Sequence, residues 1–204
     1  MIAIVDYGVG NLFSLSASLK HLGIESGITG DKAALDKAEK IILPGVGAFG
    51  DAADKLKAAG LFGFLKEQAA EGKPVLGICL GMQLLFEKGY EYGEHEGLGL
   101  IQGEVCPLAK DIPAGAKVPH MGWNALRIRR EDPLLKYLKT GAHMYFVHSF
   151  YAKNCEAALV ADAEYYVPVT AFVNSGNVWG AQFHPEKSGP EGLSILKAFG
   201  ELPC

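Results

Sequence analysis

Pro74-Val-Leu-Gly-Ile-Cys-Leu-Gly-Met-Gln-Leu-Leu-Phe86 is a short apolar run that passes through Gly77-Ile-Cys79-Leu-Gly81 straight into a helical pattern. A strand that turns into a helix with no intervening loop must bend sharply, and glycines flank the bend because Cβ atoms would block it. G-x-C-x-G is the sulfur version of the elbow that exposes a nucleophile between strand and helix. Unpaired N–H groups at the start of the helix favour a thiolate over a thiol, and the amide of Leu80 is available to an oxyanion. A free cysteine is by default an inert core residue. The glycine spacing and the strand-to-helix context set Cys79 apart from that default.

Upstream of the elbow, short β-branched runs alternate with amphipathic stretches, the pattern of parallel strands joined by helical crossovers. Ile2 to Val5 reads as the first strand. Leu12, Leu15, Leu19 and Leu22 recur at helical spacing until Gly23. Lys40 to Leu43 and Val75 to Ile78 are buried strands, and Asp51 to Glu71 is helix, broken near Gly60. From about residue 98 the texture changes to short strands at Leu100–Pro107, Trp123–Ile128, Met144–His148, Ala157–Ala163, Val167–Val173 and Val178–Phe183, where antiparallel or mixed pairing is expected. Asp132 to Leu138 is a short helix, Pro190 to Phe199 a last amphipathic one, and the acidic run Tyr90–Gly97 a solvated loop. There is no repeat or Pro/Ser-rich linker, so residues 1–204 are expected to form one α/β domain.

A chain of 204 residues can bury a core without disulfide or metal staples. Its 19 Lys+Arg against 23 Asp+Glu give a net charge of -4, which leaves no basic excess for nucleic acid or an anionic membrane. No apolar run approaches the roughly 18 residues of a spanning helix. Met1-Ile-Ala-Ile-Val5 lacks the basic n-region and cleavage site of a secretory signal, so a cytoplasmic address is expected. Cys79, Cys106, Cys155 and Cys204 fall at unrelated spacings, which suits reduced thiols, all but Cys79 inert. No H-x-x-x-H or C-x-x-C occurs, so no metal site is expected.

A cysteine nucleophile needs a base, and the base an orienting carboxylate. Phe183-His-Pro-Glu186 supplies both: on an extended segment the i, i+2 spacing sends His184 and Glu186 to one side. Leu43-Pro-Gly-Val-Gly-Ala-Phe-Gly50 places three glycines after a buried strand, a loop able to turn a second amide toward an oxyanion. Asp6-Tyr-Gly-Val-Gly-Asn11 has the start of a dinucleotide loop but lacks its third glycine.

Together these residues resemble the class I (triad) glutamine amidotransferases over nearly the whole chain. The general motifs are Pro44-Gly-Val-Gly47, Gly77-Ile-Cys-Leu-Gly-Met-Gln83 and Phe183-His-Pro-Glu186. A narrower likeness, to the members that serve a separate (β/α)8-barrel cyclase, rests on Asp6-Tyr-Gly-Val-Gly-Asn-Leu12, Pro119-His-Met-Gly-Trp-Asn124, Tyr145-Phe-Val-His-Ser-Phe150 and Lys187-Ser188. The resemblance implies a three-layer, flavodoxin-like α/β fold with a mixed, mostly parallel sheet between helices. It implies hydrolysis of L-glutamine to glutamate and ammonia without a cofactor: Cys79 forms a thioester, His184 protonates the ammonia and then activates water, and Glu186 orients His184. Val46 and Leu80 would be the oxyanion amides, and Gly47, Gln83 and Ser149 would hold glutamine. Ammonia would pass to the cyclase of a heterodimer in histidine biosynthesis, across a face that includes Asn11, Ser14, Met121, Trp123 and Lys187. The loop at Val46 is expected to be set only when partner and acceptor are bound. The rival reading is the glutaminase of another class I amidotransferase, serving anthranilate or purine synthesis.

Overall fold

The structure, a computed structural model, describes residues 1–203, so Cys204 lies outside the described residues. Strand and helix alternate at first: β1 (Ile2–Val5), α1 (Leu12–His21), β2 (Ser26–Thr29), α2 (Lys32–Lys37), β3 (Lys40–Leu43), α3 (Phe49–Ala58), α4 (Leu61–Ala70), β4 (Val75–Ile78) and α5 (Leu80–Leu84). A strand-rich half follows: β5 (Phe86–Gly89), β6 (His95–Glu96), β7 (Ile101–Pro107), β8 (His120–Ile128), β9 (His143–His148), β10 (Phe150–Lys153), β11 (Leu159–Tyr165), β12 (Val167–Ser175) and β13 (Val178–Ala181). Helix α6 (Gly189–Gly200) closes the chain.

A nine-stranded sheet runs β2-β1-β3-β4-β13-β12-β11-β8-β9, and a four-stranded sheet runs β10-β7-β5-β6. In the large sheet the pairings from β2 across to β13 are parallel and those from β13 to β9 antiparallel. The period of two along each strand divides its side chains between two cores. Ala3 and Val5 of β1 join α2, α3, α4 and the small sheet on one face, while Ile2 and Ile4 join α1 and α6 on the other. That division makes the three layers. Leu15 and Leu19 of α1 and Ile195, Leu196 and Phe199 of α6 are buried, each worth about 1.5–3 kcal/mol withdrawn from water.

The predicted helix over 51–71 is two helices, parted at Gly60, which adopts a φ of +68°. Three of the expectations are corrected. First, β2 and α2 were not anticipated: β2 is an edge strand whose apolar Ile28 is exposed, so it lacks alternation, and α2 is one short turn-and-a-half capped by the Asp31 carboxylate on the Ala34 N–H. Second, Tyr90–Gly97 is not wholly a solvated loop. Tyr92 is exposed, but His95–Glu96 pairs with β5, His95 packs on Gly50, and the Glu91 carboxylate accepts the Phe49 N–H at 2.8 Å. Third, the segment around Pro133 is a single 3-10 turn, Pro133–Leu135.

Candidate active site

The elbow is where the parallel half of the sheet delivers the chain to a cleft. Cys79 follows β4 with φ 55° and ψ -113°, a backbone conformation that non-glycine residues adopt at a cost of about 1–3 kcal/mol. Its neighbours explain the glycines. A Cβ on Gly77 would lie 2.7 Å from the backbone of Gly81 and Met82, and one on Gly81 would lie 1.8 Å from the Leu43 carbonyl oxygen. Helix α5 is only five residues long, so it contributes oriented first-turn amides rather than a long dipole.

Cys79 is buried, with Sγ 3.9 Å from the Val147 carbonyl oxygen and 3.9 Å from Nε2 of Gln182. His184 lines the same cleft as Cys79, and its Nδ1 lies 2.8 Å from Oε1 of Glu186. Both side chains are 3% exposed. Burial alone would lower the His184 pKa, but its interactions with Cys79 and Glu186 outweigh that and push it up to about 9. The pairing of His184 with Glu186 arises differently from the expectation. His184 is extended (φ -101°, ψ 98°), but Pro185–Lys187 is a 3-10 turn, so the carboxylate folds back to the ring instead of sharing a strand face.

Ser188 fixes this turn, and the sequence reading gave it no individual role. Its Oγ donates to the His184 carbonyl at 2.7 Å and accepts the Tyr145 N–H at 3.0 Å, while the His184 N–H donates to the Tyr145 carbonyl at 3.0 Å. These bonds tie the backbone of His184 to β9.

A cleft of about 380 Å³ opens over Sγ. Cys79, Leu80, Gln83 and His184 line one side, with Val46 and Gly47 from the loop after β3 and Ser149 after β9. The structure therefore brings together seven of the residues singled out from sequence, and Glu186 backs the eighth position behind His184. Of the three loop glycines, only Gly47 takes a positive φ, +102°, with open space around it; Gly45 lies against Gly81 and Gly50 against His95, so close approach explains those two. Glu91 also lines the cleft, a carboxylate within the acidic run Tyr90–Gly97.

His148 lies on the cleft wall as well. Burial, then the neighbouring His120, push it down to about 3, so it is neutral, and its Nδ1 donates to the Phe150 carbonyl at 2.8 Å. A larger groove of about 560 Å³ beside Asp132 and Lys136 is lined by no cysteine, histidine or serine.

Asn11, Ser14, Met121, Trp123 and Lys187 do not line the cleft. Lys187 is exposed, Met121 is 61% exposed and Trp123 53% exposed, which removes core packing as the explanation of Trp123. Met121 and Trp123 lie within strand β8. They pair with Val147 and Tyr145 of β9, the strand whose carbonyls contact Cys79 and His184. Asp6–Asn11 forms a turn in which Asp6 accepts the Gly8 N–H and Gly10 packs on Pro44. Cys106 and Cys155 stay protonated because burial pushes both thiols up. Among the described residues, no group of three or more His, Cys, Asp or Glu is arranged to hold a metal, and no helix is long and apolar enough to cross a membrane.

Comparison with known proteins identifies the family and the fold. The family model "Glutamine amidotransferase class-I" matches residues 3–201. The chain is 52% identical to the imidazole glycerol phosphate synthase subunit HisH of Bacillus licheniformis, over 99% of this chain and 96% of that protein. It is 48% identical to the HisH subunit of Caldanaerobacter subterraneus, over 99% and 98%. Among solved structures, a glutamine amidotransferase superposes with a TM-score of 0.75 at 21% identity, covering 98% of this chain and 100% of that one. PurLQS from Thermotoga maritima superposes with a TM-score of 0.74 at 24% identity, covering 97% and 96%. At those identities the superpositions speak to the fold alone, whereas the sequence matches extend to the family. The chain belongs to the class I glutamine amidotransferases and, within them, to the family of HisH subunits of imidazole glycerol phosphate synthase.

Proposed function

We propose that this chain is the glutaminase subunit of an imidazole glycerol phosphate synthase, folded as one domain over residues 1–204, working in the cytoplasm and handing ammonia to a (β/α)8-barrel cyclase. The observation that carries the reading is Cys79 at a positive-φ elbow, lining a cleft sized for an amino acid together with His184, whose Nδ1 is 2.8 Å from Glu186.

The Cys79 thiolate attacks the side-chain amide carbon of glutamine. The oxyanion that forms takes hydrogen bonds from the Leu80 and Val46 amides. His184, held cationic beside Glu186, gives its proton to the departing ammonia and leaves a glutamyl thioester. The neutral imidazole then takes a proton from water, hydroxide adds to the thioester carbonyl, and glutamate leaves as thiolate and imidazolium are restored. Gly47, Gln83 and Ser149 hold the substrate. Glu91, on the same cleft, supplies the negative charge that a free amino acid's ammonium group needs.

The cyclase combines the ammonia with a phosphoribulosyl carboxamide ribotide to give imidazole glycerol phosphate and an aminoimidazole carboxamide ribotide. Met121, Trp123 and Lys187, with Asn11 and Ser14, make the docking face; exposed Met and Trp suit an interface core. The β8–β9 ladder gives that face a direct mechanical path to the cleft. The test is acid-quenched turnover with isotopically labelled glutamine: label is expected on the Cys79 peptide of wild type, and none in Cys79→Ala. Label on another residue would overturn the assignment.

A further inference from the structure

Gln182 is fully buried one residue past the end of β13, between Cys79 and Gln83. Its Oε1 accepts a hydrogen bond from Gln83 Nε2 at 3.0 Å, and its Nε2 points at Cys79 Sγ from 3.9 Å. The orientation of both amides follows from one atom. The Phe150 carbonyl oxygen can only accept, and it lies 3.0 Å from Gln83 Nε2. Turning Gln83 round would set two acceptors against each other there, so its NH2 group faces Phe150 and Gln182. Turning Gln182 round would then set two NH2 groups together and aim a carbonyl at the sulfur. The backbone holds the pair in place, with the Cys79 N–H donating to Ala181 O at 2.7 Å and the Gln182 N–H to Ala171 O at 2.9 Å.

Besides the cationic His184, the sulfur has two opposed polar neighbours. The Val147 carbonyl, also 3.9 Å away, can accept only from a protonated thiol. The Gln182 N–H can donate to the thiolate, and a buried anion without donors is costly. We infer that Gln182 is a further catalytic group of the glutaminase: its amide hydrogen stabilises the Cys79 thiolate and fixes its direction of attack, through a chain of hydrogen bonds running Phe150, Gln83, Gln182, Cys79. The same chain leaves Oε1 of Gln83 as that side chain's remaining acceptor on the cleft wall, so the groups that bind glutamine and the group that activates sulfur are set by one hydrogen-bond direction. This inference rests on Cys79 being the nucleophile.

The test compares wild type with Gln182→Met, which keeps the bulk but removes the donor, and Gln182→Glu, which puts an acceptor in the same place. Each is assayed in the chain bound to its partner subunit, after a thermal melt shows it folded. Removing a hydrogen bond to a charged group should slow iodoacetamide alkylation of Cys79 at pH 7 about tenfold in Gln182→Met and further in Gln182→Glu. The kcat should fall about as much, while KM for glutamine stays within about threefold because Gln83 keeps its bond to Phe150. A role confined to packing would lower the melting temperature and leave the alkylation rate of the folded protein unchanged. In wild type, needing no Gln182 variant, the Gln182 side-chain amide resonances should move when Cys79 is alkylated and move with pH, the pH response vanishing in Cys79→Ala. Alkylation rates and kcat within twofold of wild type, or amide resonances indifferent to the sulfur, would overturn the inference. If Cys79→Ala itself retains glutaminase activity, the fault lies instead with the nucleophile assignment.

Discussion

Replacing Gly81 by alanine should damage this protein far more than a single methyl group ordinarily does. The added Cβ would lie 1.8 Å from the Leu43 carbonyl oxygen, 2.8 Å from the Leu43 carbonyl carbon and 3.1 Å from the carbonyl carbon of Pro44. A normal carbon–oxygen contact is about 3.3–3.6 Å, so roughly 1.5 Å must open between two backbones. Neither yields easily, because Leu43 pairs with Gly77 inside the parallel sheet and Gly81 is in the first turn of α5. Overpacking costs about 1–3 kcal/mol where side chains can shift, and backbone against backbone belongs at the upper end. For a chain of this size that is a fall in Tm of roughly 6–12 °C. The same displacement moves Cys79 and the Leu80 amide off their target, and a 1 Å misplacement costs about 100-fold in rate. Gly63→Ala is the internal control: the site is open, on the exposed side of α4, so the same change should stabilise by about 0.5 kcal/mol. Circular-dichroism melts and glutamate release at a temperature where both variants are folded would be compared. A Gly81→Ala protein that melts within about 2 °C of wild type and keeps half its activity would refute the crowded-elbow argument.

Three further outcomes follow from particular contacts. Because His184 is raised from 6.5 to about 9, its contribution to stability is full below pH 6.5 and is lost as pH rises through 9. Glu186→Gln removes one of the causes of that raised value, so urea titrations should show a larger deficit against wild type at pH 6 than at pH 9.5; an equal deficit at both would contradict the pairing. Ser188→Ala removes the hydroxyl that bridges His184 and Tyr145 and should cost about 1–3 kcal/mol in denaturant titrations while lowering kcat more than it raises KM. Trp123→Ala should leave the isolated chain's stability within about 0.5 kcal/mol, since the ring is half exposed, yet weaken cyclase binding by about 2 kcal/mol, some 30-fold, in calorimetry.

What the sequence revealed and what it hid have physical causes. The elbow was legible because backbone crowding forces glycine at Gly77 and Gly81, and the strands β1, β3 and β4 because burial on both faces makes them continuous apolar runs. Edge strand β2 and the β5–β6 hairpin were not, because they are short and half exposed and their places are fixed by tertiary partners such as Glu91 on Phe49 and His95 on Gly50. His184 and Glu186 were found by residue type, but the geometry that joins them is a 3-10 turn set by Ser188, which spacing alone does not encode. Gln182 left no signal of its own. Its meaning depends on a carbonyl oxygen 32 positions away in sequence, between Phe150 and Gln182.

That Cys79, served by His184 and Glu186, hydrolyses glutamine for a cyclase partner is tested most directly by glutamate release from wild type and Cys79→Ala, each alone and with the (β/α)8-barrel cyclase and its ribotide. Slow release by the wild-type chain alone, a steep rise in the loaded complex, and no release by Cys79→Ala in either state are expected. Equal activity in wild type and Cys79→Ala would contradict the thiol mechanism, and wild-type activity indifferent to the cyclase would contradict the partnership.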